Sequence, residues 1–233
     1  MIKAENLSIK YSPQDTKPAL DSITLNLKRG EKFALIGANG AGKSTFLLAL
    51  SGVLLPSGGT LSVDGISVCK DSLKDIRRRV GLVFQNPDDQ FFMPTVEDDI
   101  AFGPRNYGMD EGDIKIKMNA ILEKLNISKL KERSAHHLSG GEKRLVGLAG
   151  ILIMEPSLLL MDEPSSFLDP RARRNLISLL KELPQTMLIA THDLDMARDL
   201  CSQVILLKEG RKRADGEAEK ILGNSALLEE CGL

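Results

Sequence analysis

The 233-residue sequence has little of several features, and each shortage narrows the range of possible functions. It contains no tryptophan and only two tyrosines, so few aromatic side chains are available to stack on a ligand ring. Its formal net charge is -1, without the excess of basic residues that a nucleic-acid-binding protein usually shows. A local basic patch remains compatible with these totals.

Cysteine and long apolar runs are also scarce. The three cysteines, at positions 69, 201 and 231, are far apart and match no spacing of a metal site or disulfide framework. This usage is typical of free thiols in a reducing cytoplasm. No apolar run approaches the roughly 20 residues that span a bilayer, and the first six residues contain no apolar signal core. We therefore expect any role at a membrane to be exerted from the cytoplasmic side through a partner.

Apolar patterning predicts strands near both ends of the chain and helices in the middle. Residues 2–10 and 22–28 alternate apolar and polar side chains, and residues 60–68 are typical of a hairpin. Short apolar runs predict buried strands at residues 32–36, 80–84, 157–161, 187–191 and 204–207. Helices are predicted at about residues 43–51, 171–183 and 194–200, with one or two short helices in residues 218–233.

These segments predict an α/β fold within a single domain, residues 1–233. A parallel-sheet core is expected over residues 1–85 and 156–233, with a helical subdomain inserted at about residues 86–155 and an antiparallel β subdomain. The chain ends soon after the last predicted core strand, so we expect no additional C-terminal regulatory domain.

A glycine-rich segment follows the strand predicted at residues 32–36 and opens a predicted helix. Residues 37–44 read Gly-Ala-Asn-Gly-Ala-Gly-Lys-Ser and match the phosphate-loop pattern G-x-x-x-x-G-K-[ST]. The glycines let backbone N–H groups point at phosphate oxygens, and the helix start adds its positive end. We expect Lys43 to reach the β and γ phosphates of ATP and the Ser44 hydroxyl to bind Mg²⁺. The predicted ATP-binding residues of this segment are Gly37, Asn39, Gly40, Ala41, Gly42, Lys43, Ser44 and Thr45.

Two acids follow the apolar run at residues 158–161. Open α/β sheets bind ligands at the carboxyl ends of their strands, so this pair is predicted to lie at a site. Asp162 is expected to hold Mg²⁺ through water. Glu163 is expected to orient or deprotonate the attacking water. The alternative is that Glu163 only caps a loop.

Three further side chains complete the predicted site. Gln85 follows the strand at residues 80–84 and is expected to reach the metal or the attacking water, although by itself it is typical of an ordinary loop. His192 ends another predicted strand and is expected to donate a hydrogen bond to the γ phosphate. The alternative is a structural role, which is the usual one for a lone histidine at a strand end. Tyr11 is predicted to stack on adenine, and packing on the core is the alternative.

Residues 138–142 read Leu-Ser-Gly-Gly-Glu and stand between the phosphate loop and the acidic pair. Each element alone indicates nucleotide binding. In this order they indicate an ATPase whose site is closed by a second copy of itself. Together the motifs resemble the ATP-binding-cassette (ABC) family, and the resemblance covers nearly the whole chain.

The resemblance implies a P-loop NTPase fold of the ABC type and a role for each motif. It implies adenine stacking for Tyr11, a Walker A loop at residues 37–44, a Q-loop at Gln85, a signature motif at residues 138–142, a Walker B strand at residues 158–162, a catalytic glutamate at Glu163, a D-loop at residues 166–169 and a switch histidine at His192.

The family also implies a head-to-tail dimer with two ATP molecules at its interface. Each ATP would lie between the phosphate loop of one subunit and Ser139, Gly140 and Gly141 of the other. These three residues start a predicted helix, whose N–H groups and dipole suit the γ phosphate. Asp169 would connect the two sites. ATP binding then closes the dimer, and hydrolysis releases it.

Residues 85–92, 141–144 and 166–170 resemble a narrower subgroup, the ATPases of energy-coupling-factor importers. Glu142 stands where the commonest signature has glutamine, and Phe167 where glycine is frequent. The subgroup takes up vitamins, cobalt or nickel, and its ATPases pair with a transmembrane coupling subunit and a small substrate-binding membrane protein. The resemblance implies that Asp88 and Asp89 face basic residues on the coupling helices of the transmembrane partner, and two solvated loop acids are the alternative. It leaves open the substrate, and whether the dimer is a homodimer or includes a paralogous ATPase.

Three other functions compete with this interpretation. A cassette ATPase acting on DNA or ribosomes is disfavoured because only 54 residues separate Gln85 from Ser139, too few for long coiled coils, and because the chain has one cassette. An ATPase of another transporter subgroup shares every catalytic residue, so only the segments after Gln85 and around Phe167 argue against it. A non-hydrolysing scaffold is disfavoured because four side chains of the predicted site are intact: Lys43, Asp162, Glu163 and His192.

Overall fold

Two groups of strands and helices make up residues 1–233 in the computed structural model. The first unit comprises Met1–Leu82, Ser157–Glu163 and Leu183–Leu233, and the second comprises Val83–Pro156 and Pro164–Glu182. The predicted subdomain boundaries at residues 85 and 156 fall close to these divisions. The assignment of the whole chain to a single domain stays a prediction.

The elements alternate along the chain as an α/β pattern requires. The strands are β1 (Ile2–Ile9), β2 (Leu20–Leu27), β3 (Lys32–Ile36), β4 (Gly58–Val63), β5 (Ile66–Ser67), β6 (Val80–Val83), β7 (Leu158–Asp162), β8 (Thr186–Ala190), β9 (Gln203–Lys208) and β10 (Arg211–Glu217). The helices are α1 (Lys43–Leu50), α2 (Leu73–Arg79), α3 (Val96–Asn106), α4 (Glu111–Lys124), α5 (Gly140–Leu152), α6 (Pro170–Glu182), α7 (Leu194–Leu200), α8 (Ala218–Leu222) and α9 (Ser225–Glu230).

A four-stranded antiparallel sheet forms one layer of the first unit, in the order β2-β1-β4-β5. Its strands alternate buried apolar and exposed polar side chains, as a sheet with one solvated face does. The predicted hairpin is confirmed, since Val63 pairs with Ile66 across a turn at Asp64 and Gly65. The buried faces of β1, β2 and β4 share a core cluster with Phe46 of α1.

The second sheet of this unit runs in the order β10-β9-β3-β8-β7-β6. Here β3 pairs in parallel with both β8 and β9, and β7 pairs in parallel with β8. Ala190 at the end of β8 pairs with Leu35 of β3 and with Asp162 of β7, so the three strands end at one edge. Open α/β sheets bind ligands at this edge, beyond the carboxyl ends of their strands.

The edge strand β10 is missing from the sequence prediction. It pairs antiparallel with β9, yet its sequence, Arg-Lys-Arg-Ala-Asp-Gly-Glu, has no large apolar residue. The apolar alternation that marks a half-buried strand is therefore absent. Glu209 and Gly210 have φ of 49° and 76°, and a two-residue type I′ hairpin turn requires positive φ at both positions. Beyond the strand, α8 and α9 confirm the predicted short helices.

The second unit is mostly helical, as the sequence predicts for the middle of the chain. It contains α3, α4 and α5, together with α6. Residues 164–182 therefore belong to the mostly helical second unit, whereas the sequence analysis predicts them in the parallel-sheet core. The physical reason is that α6 packs beside the start of α5, where a Cβ on Gly141 would lie 3.5 Å from the Cβ of Ala172.

Candidate active site

The phosphate loop connects β3 to α1, as its pattern predicts. Gly37 lies where a side chain does not fit, because a Cβ there would lie only 2.4 Å from the backbone oxygen of Leu207. Gly40 has a φ of 80°, which L side chains rarely adopt. The two glycines therefore allow the loop to pass close to β9 and turn into the helix, the kind of path by which a phosphate loop directs backbone N–H groups at phosphate oxygens.

Lys43 lies across this loop. The residue is 7% exposed, and Nζ donates to the backbone oxygens of Gly37 (2.7 Å) and Ala38 (3.3 Å). These carbonyls hold the ammonium group against the loop, and its contact with phosphate oxygens stays a prediction. Ser44 follows with an exposed side chain at the first turn of α1.

Tyr11 lies beside the same helix. Its hydroxyl forms a 2.8 Å hydrogen bond with Oγ1 of Thr45, and the residue is 61% exposed. The tyrosine predicted to stack on adenine is thus tied to the helix that follows the phosphate loop, while much of its surface stays open to a planar ligand. It does not pack into the core, which was the alternative.

Glu163 and His192 meet at the carboxyl edge of the sheet. Glu163 Oε1 lies 2.9 Å from Nδ1 of His192, and Oε2 accepts hydrogen bonds from Oγ1 of Thr191 (3.2 Å) and from the His192 backbone N–H (3.4 Å). Glu163 is 5% exposed and has a φ of 45°, whereas the His192 side chain is 65% exposed. The carboxylate is therefore held, and the imidazole faces solvent.

Thr191 was not among the predicted site residues. It is fully buried, and its hydroxyl both donates to Glu163 and accepts the backbone N–H of Asp193 (3.0 Å). A threonine between a buried strand and a histidine carries no spacing signal, so only the structure identifies this support.

The predicted metal ligands fit Mg²⁺ as it binds with nucleotides. Asp162 is half-buried at the end of β7, and Ser44 is exposed at the start of α1. No group of three or more His, Cys, Asp or Glu side chains in the chain is placed to hold a metal. Mg²⁺ commonly uses one or two protein carboxylates, with substrate phosphates and water as the other ligands. The donor set of Asp162 and Ser44 is of that kind.

The signature residues lie at the start of α5 in the second unit. Ser139 and Glu142 form a capping box, in which Ser139 Oγ accepts the Glu142 backbone N–H (3.3 Å) and Glu142 Oε2 accepts the Ser139 backbone N–H (2.9 Å). This backbone bond, and then the Ser139 hydroxyl, lower the pKa of Glu142 below its usual value. A Cβ on Gly140 would meet nothing within 4 Å, so this helix start is open to approach.

A groove of about 1000 Å³ runs between this helix start and α6. Ser139, Gly140, Gly141 and Asp169 all line it. Asp169 Oδ1 accepts the backbone N–H groups of Arg171 (2.8 Å) and Ala172 (2.9 Å) in the first turn of α6. These bonds, the one from Ala172 first, lower the Asp169 pKa. The signature and the D-loop aspartate, predicted from separate motifs, thus lie in one groove.

Gln85 lies in the second unit, and its side chain is exposed. Its backbone oxygen accepts a 2.8 Å hydrogen bond from Nη2 of Arg144, and Nη1 of the same arginine donates to the oxygen of Phe84. Arg144 is 3% exposed and comes from α5. It fixes the loop after β6 against the signature helix. Arg144 belongs to the segment 141–144 that resembles the importer subgroup, but no local pattern predicts its contacts with the loop after β6.

The acids after Gln85 already have partners within the chain. Asp88 Oδ1 lies 2.6 Å from Nζ of Lys143, also on α5, and Asp89 Oδ1 accepts a 3.0 Å hydrogen bond from Nδ2 of Asn86. The Asp88 side chain is 58% exposed. The prediction that Asp88 and Asp89 face a membrane partner stays a prediction.

The two neighbouring cations of α5 provide a matched pair for a stability test. We expect Arg144→Ala to lower the free energy of unfolding by about 2–4 kcal/mol, because it leaves two backbone oxygens without their donor and opens a buried gap. Lys143→Ala removes an ion pair with an exposed partner and should cost less than about 1 kcal/mol. Urea unfolding of both variants measures the difference; equal losses would contradict the bracing role of Arg144.

A phosphate loop at the end of a parallel strand, followed along the same sheet edge by an acid paired with a histidine, defines a P-loop nucleotide hydrolase. The sequence pattern of the ABC transporter family matches residues 20–166. The chain therefore belongs to the ABC transporter family.

Known relatives extend this match over the full chain. The energy-coupling factor transporter ATP-binding protein EcfA of Methanothermobacter thermautotrophicus is 42% identical over 238 residues, which cover 100% of this chain and 76% of that protein. CbiO1 of Clostridium perfringens, part of the ABC transporter complex CbiONQ, has a TM-score of 0.86 at 36% identity, covering 98% of this chain and 93% of that one. The cassette MJ0796, solved as a dimer in a post-hydrolysis state with ADP and Pi, has a TM-score of 0.84 at 26% identity, covering 94% and 99%.

These findings confirm the predicted fold and activity. The protein has the fold of the ABC ATPases, and it is an ATP-binding and ATP-hydrolysing subunit of an ABC transporter. ATPases of this family act as dimers with transmembrane partners. None of the helices in residues 1–233 has both the length and the apolar character needed to cross a membrane.

Proposed function

We propose that this protein is the ATPase subunit of an energy-coupling-factor importer that takes up a transition-metal ion, cobalt or nickel, or a vitamin. The 42% identity to EcfA across the whole chain and the structural likeness to CbiO1 support this proposal. The protein then works at the cytoplasmic face of the membrane, on a transmembrane coupling subunit that also carries a small substrate-binding membrane protein. Its ATPase partner is a second copy or a paralogue.

The hydrolytic step in this proposal uses Glu163 as the base. Thr191 and the His192 backbone N–H hold one carboxylate oxygen in place. The carboxylate accepts a proton from water while the water oxygen bonds to the γ phosphorus and the bond to the β-phosphate oxygen breaks, which gives ADP and phosphate. The exposed His192 ring turns from Glu163 towards the γ phosphate and donates a hydrogen bond to it.

The ATP phosphates and Mg²⁺ are held by residues on the phosphate loop and the sheet edge. Lys43 exchanges the carbonyl oxygens of Gly37 and Ala38 for the β and γ phosphates. Ser44, Asp162 and Gln85 would hold Mg²⁺, which would supply positive charge to offset that of the phosphate oxygens. Gln85 lies in the second unit, so its reach to the metal and the attacking water rests on the family resemblance alone.

The single observation that carries the dimer proposal is the groove in which the Ser139 helix start and Asp169 lie together. Ser139, Gly140 and Gly141 offer a helix start with open approach, and such starts bind phosphate groups. We propose that this groove receives the γ phosphate of ATP held on the phosphate loop of the other subunit. The dimeric form of MJ0796 with ADP and Pi supports this arrangement.

Phe167 gives this interface a test in which stability and association change in opposite directions. The residue is 88% exposed and has a φ of 64°, a conformation that costs a non-glycine residue about 1–2 kcal/mol. We propose that its ring is buried against the other subunit. Phe167→Gly should therefore raise the melting temperature, and it should also raise the ATP concentration needed for dimer formation by about tenfold.

Phe167→Ala is the matched variant, because it removes the ring but keeps a side chain at the left-handed position. Thermal unfolding and light scattering with ATP measure the two effects separately. We expect both variants to impair dimer formation equally and only the glycine variant to gain stability. Dimer formation at the ATP concentration required by the unaltered chain would contradict burial of the ring.

The importer proposal is tested by capture from membranes of the source organism. A tagged Glu163→Gln protein with ATP should remain in the closed state, and tagged Lys43→Ala protein is the control. Mass spectrometry should identify a polytopic coupling protein and a small membrane protein with the first bait and less of them with the second. A paralogous ATPase in the complex would establish a heterodimer. Recovery of only ribosomal or DNA-bound material would contradict the transport proposal.

An ATPase of another ABC transporter subgroup is the alternative, since it shares every residue proposed for the hydrolytic step. The same capture distinguishes the two. A pair of large permease domains without a small substrate-binding membrane protein would favour the other subgroup.

A further inference from the structure

Glu142 makes one contact that its capping role does not require. In addition to the backbone N–H of Ser139, its Oε2 accepts a hydrogen bond from the Ser139 hydroxyl at 2.9 Å. The hydroxyl has a single proton, and this bond directs it towards Glu142. The Ser139 hydroxyl oxygen in turn accepts the backbone N–H of Glu142 at 3.3 Å. Ser139 therefore presents no proton to the groove in this arrangement.

A γ phosphate needs that proton. Phosphate oxygens accept hydrogen bonds, so Ser139 has to donate its hydroxyl proton to them rather than to Glu142. A hydrogen bond to a carboxylate is about twice as strong as one to a neutral acceptor, so a glutamate retains the proton more firmly than a glutamine would. The charge of Glu142 also opposes the approach of a phosphate, although the nearby cations Lys129 and Arg133 offset part of it.

We propose that Glu142 is a positioning residue that holds the Ser139 hydroxyl proton away from the incoming γ phosphate and thereby raises the ATP concentration needed to close the dimer. This inference rests on the proposed function, because it takes Ser139 as a contact to ATP bound by the other subunit. Its consequence is a dimer that closes less readily and reopens more readily than one with glutamine at this position.

The test uses the full chain with Glu163→Gln, so that hydrolysis does not remove the closed state. The mass is measured by light scattering over a range of ATP concentrations. Glu142→Gln in this background should lower the half-closing ATP concentration by about fivefold, the difference between a charge-assisted and a neutral hydrogen bond. Glutamine also completes a capping box, so the fold should be retained, with a small fall in the melting temperature because the charge at the helix start is lost. An unchanged or higher ATP requirement would overturn the proposal.

A second pair of variants separates the proton from the charge. In a Ser139→Ala background the hydroxyl is absent, so Glu142→Gln should change the ATP requirement far less than it does with Ser139 present. If the full shift persists without the hydroxyl, Glu142 acts through its charge alone, which overturns the role in positioning the proton. A protein that stays monomeric with ATP in every variant contradicts the shared site itself. If the dimer forms but its half-closing ATP concentration does not depend on residue 142, only the role of Glu142 is contradicted.

Steady-state kinetics give an independent readout with Glu163 intact. Glu142→Gln should lower the KM for ATP without raising kcat, because a closed dimer that is easier to form is slower to reopen. A purely structural role in capping predicts no such split. Equal KM values for the two proteins would therefore also overturn the proposal.

Discussion

Replacing Glu163 with glutamine should reduce the rate of ATP hydrolysis by about 10²–10⁴-fold while ATP binding is retained, because the amide cannot accept the proton of the attacking water. The amide oxygen can still accept the hydrogen bonds that Thr191 Oγ1 and the His192 backbone N–H donate to the carboxylate. Geometry at the sheet edge is thus preserved, and only the base is lost. Phosphate release measures turnover, and titration with a fluorescent ATP analogue measures binding.

Glu209→Gln is the matched control. Glu209 is an exposed glutamate that, like Glu163, adopts a positive φ, in this case 49°. It lies in the turn before β10, where we assign it no chemistry. Its variant should hydrolyse ATP at the normal rate. Normal turnover in Glu163→Gln would exclude Glu163 as the base and leave the loop-capping interpretation.

Replacing Lys43 with alanine should weaken ATP binding and lower kcat by about 10²-fold or more, the scale seen when one preorganised electrostatic contact is removed. Lys43 is a buried residue whose ammonium group is held by two backbone oxygens of the loop, and residues 37–44 contain no other basic side chain that could replace it. Lys43→Arg keeps the charge but not the compact shape of the ammonium group. We expect it to recover little activity, because the site selects position as well as charge.

Lys212→Ala is the matched control, because it also removes a lysine whose ammonium group is held by an oxygen of the same chain. Its side chain is 28% exposed, and Nζ lies 2.6 Å from Oδ1 of Asp215 on β10. This variant should bind and hydrolyse ATP normally. Isothermal titration measures ATP binding by the two variants, and phosphate release measures their rates of hydrolysis. Intact ATP hydrolysis in Lys43→Ala would contradict the assignment of the phosphate loop.

The parts of the fold that the sequence predicts are those whose signals are local. The phosphate loop follows its strand and opens its helix where the pattern requires. Gly37 has no room for a side chain and Gly40 has a positive φ, so the local backbone itself requires these glycines. The buried strands β3, β7 and β8 appear as continuous apolar runs, since both faces of a parallel sheet are covered. Asp162 and Glu163 follow one of these runs, which is why strand assignment alone places them at the ligand-binding edge.

The features that the sequence does not predict depend on partners distant in the chain. Arg144 is identified only through backbone oxygens almost 60 residues away, and Thr191 through a glutamate 28 residues away. The edge strand β10 has charged residues where an apolar pattern would be expected. It is recognised as a strand only through its pairing with β9. The hydroxyl bond between Ser139 and Glu142 lies within a recognisable capping pattern, but the pattern does not say which group receives the proton.

The proposal that each ATP is shared between two subunits is tested most directly by mixing two complementary variants, both in the Glu163→Gln background. One carries Lys43→Ala and lacks the phosphate-loop half, and the other carries Ser139→Arg and lacks the signature half. Neither variant by itself should dimerise when ATP is added, whereas the mixture of the two with ATP should form a dimer that contains one complete site. Light scattering measures the mass in each case. A mixture that stays monomeric while the parent protein dimerises, or dimers of either variant alone, would contradict a site built from two copies.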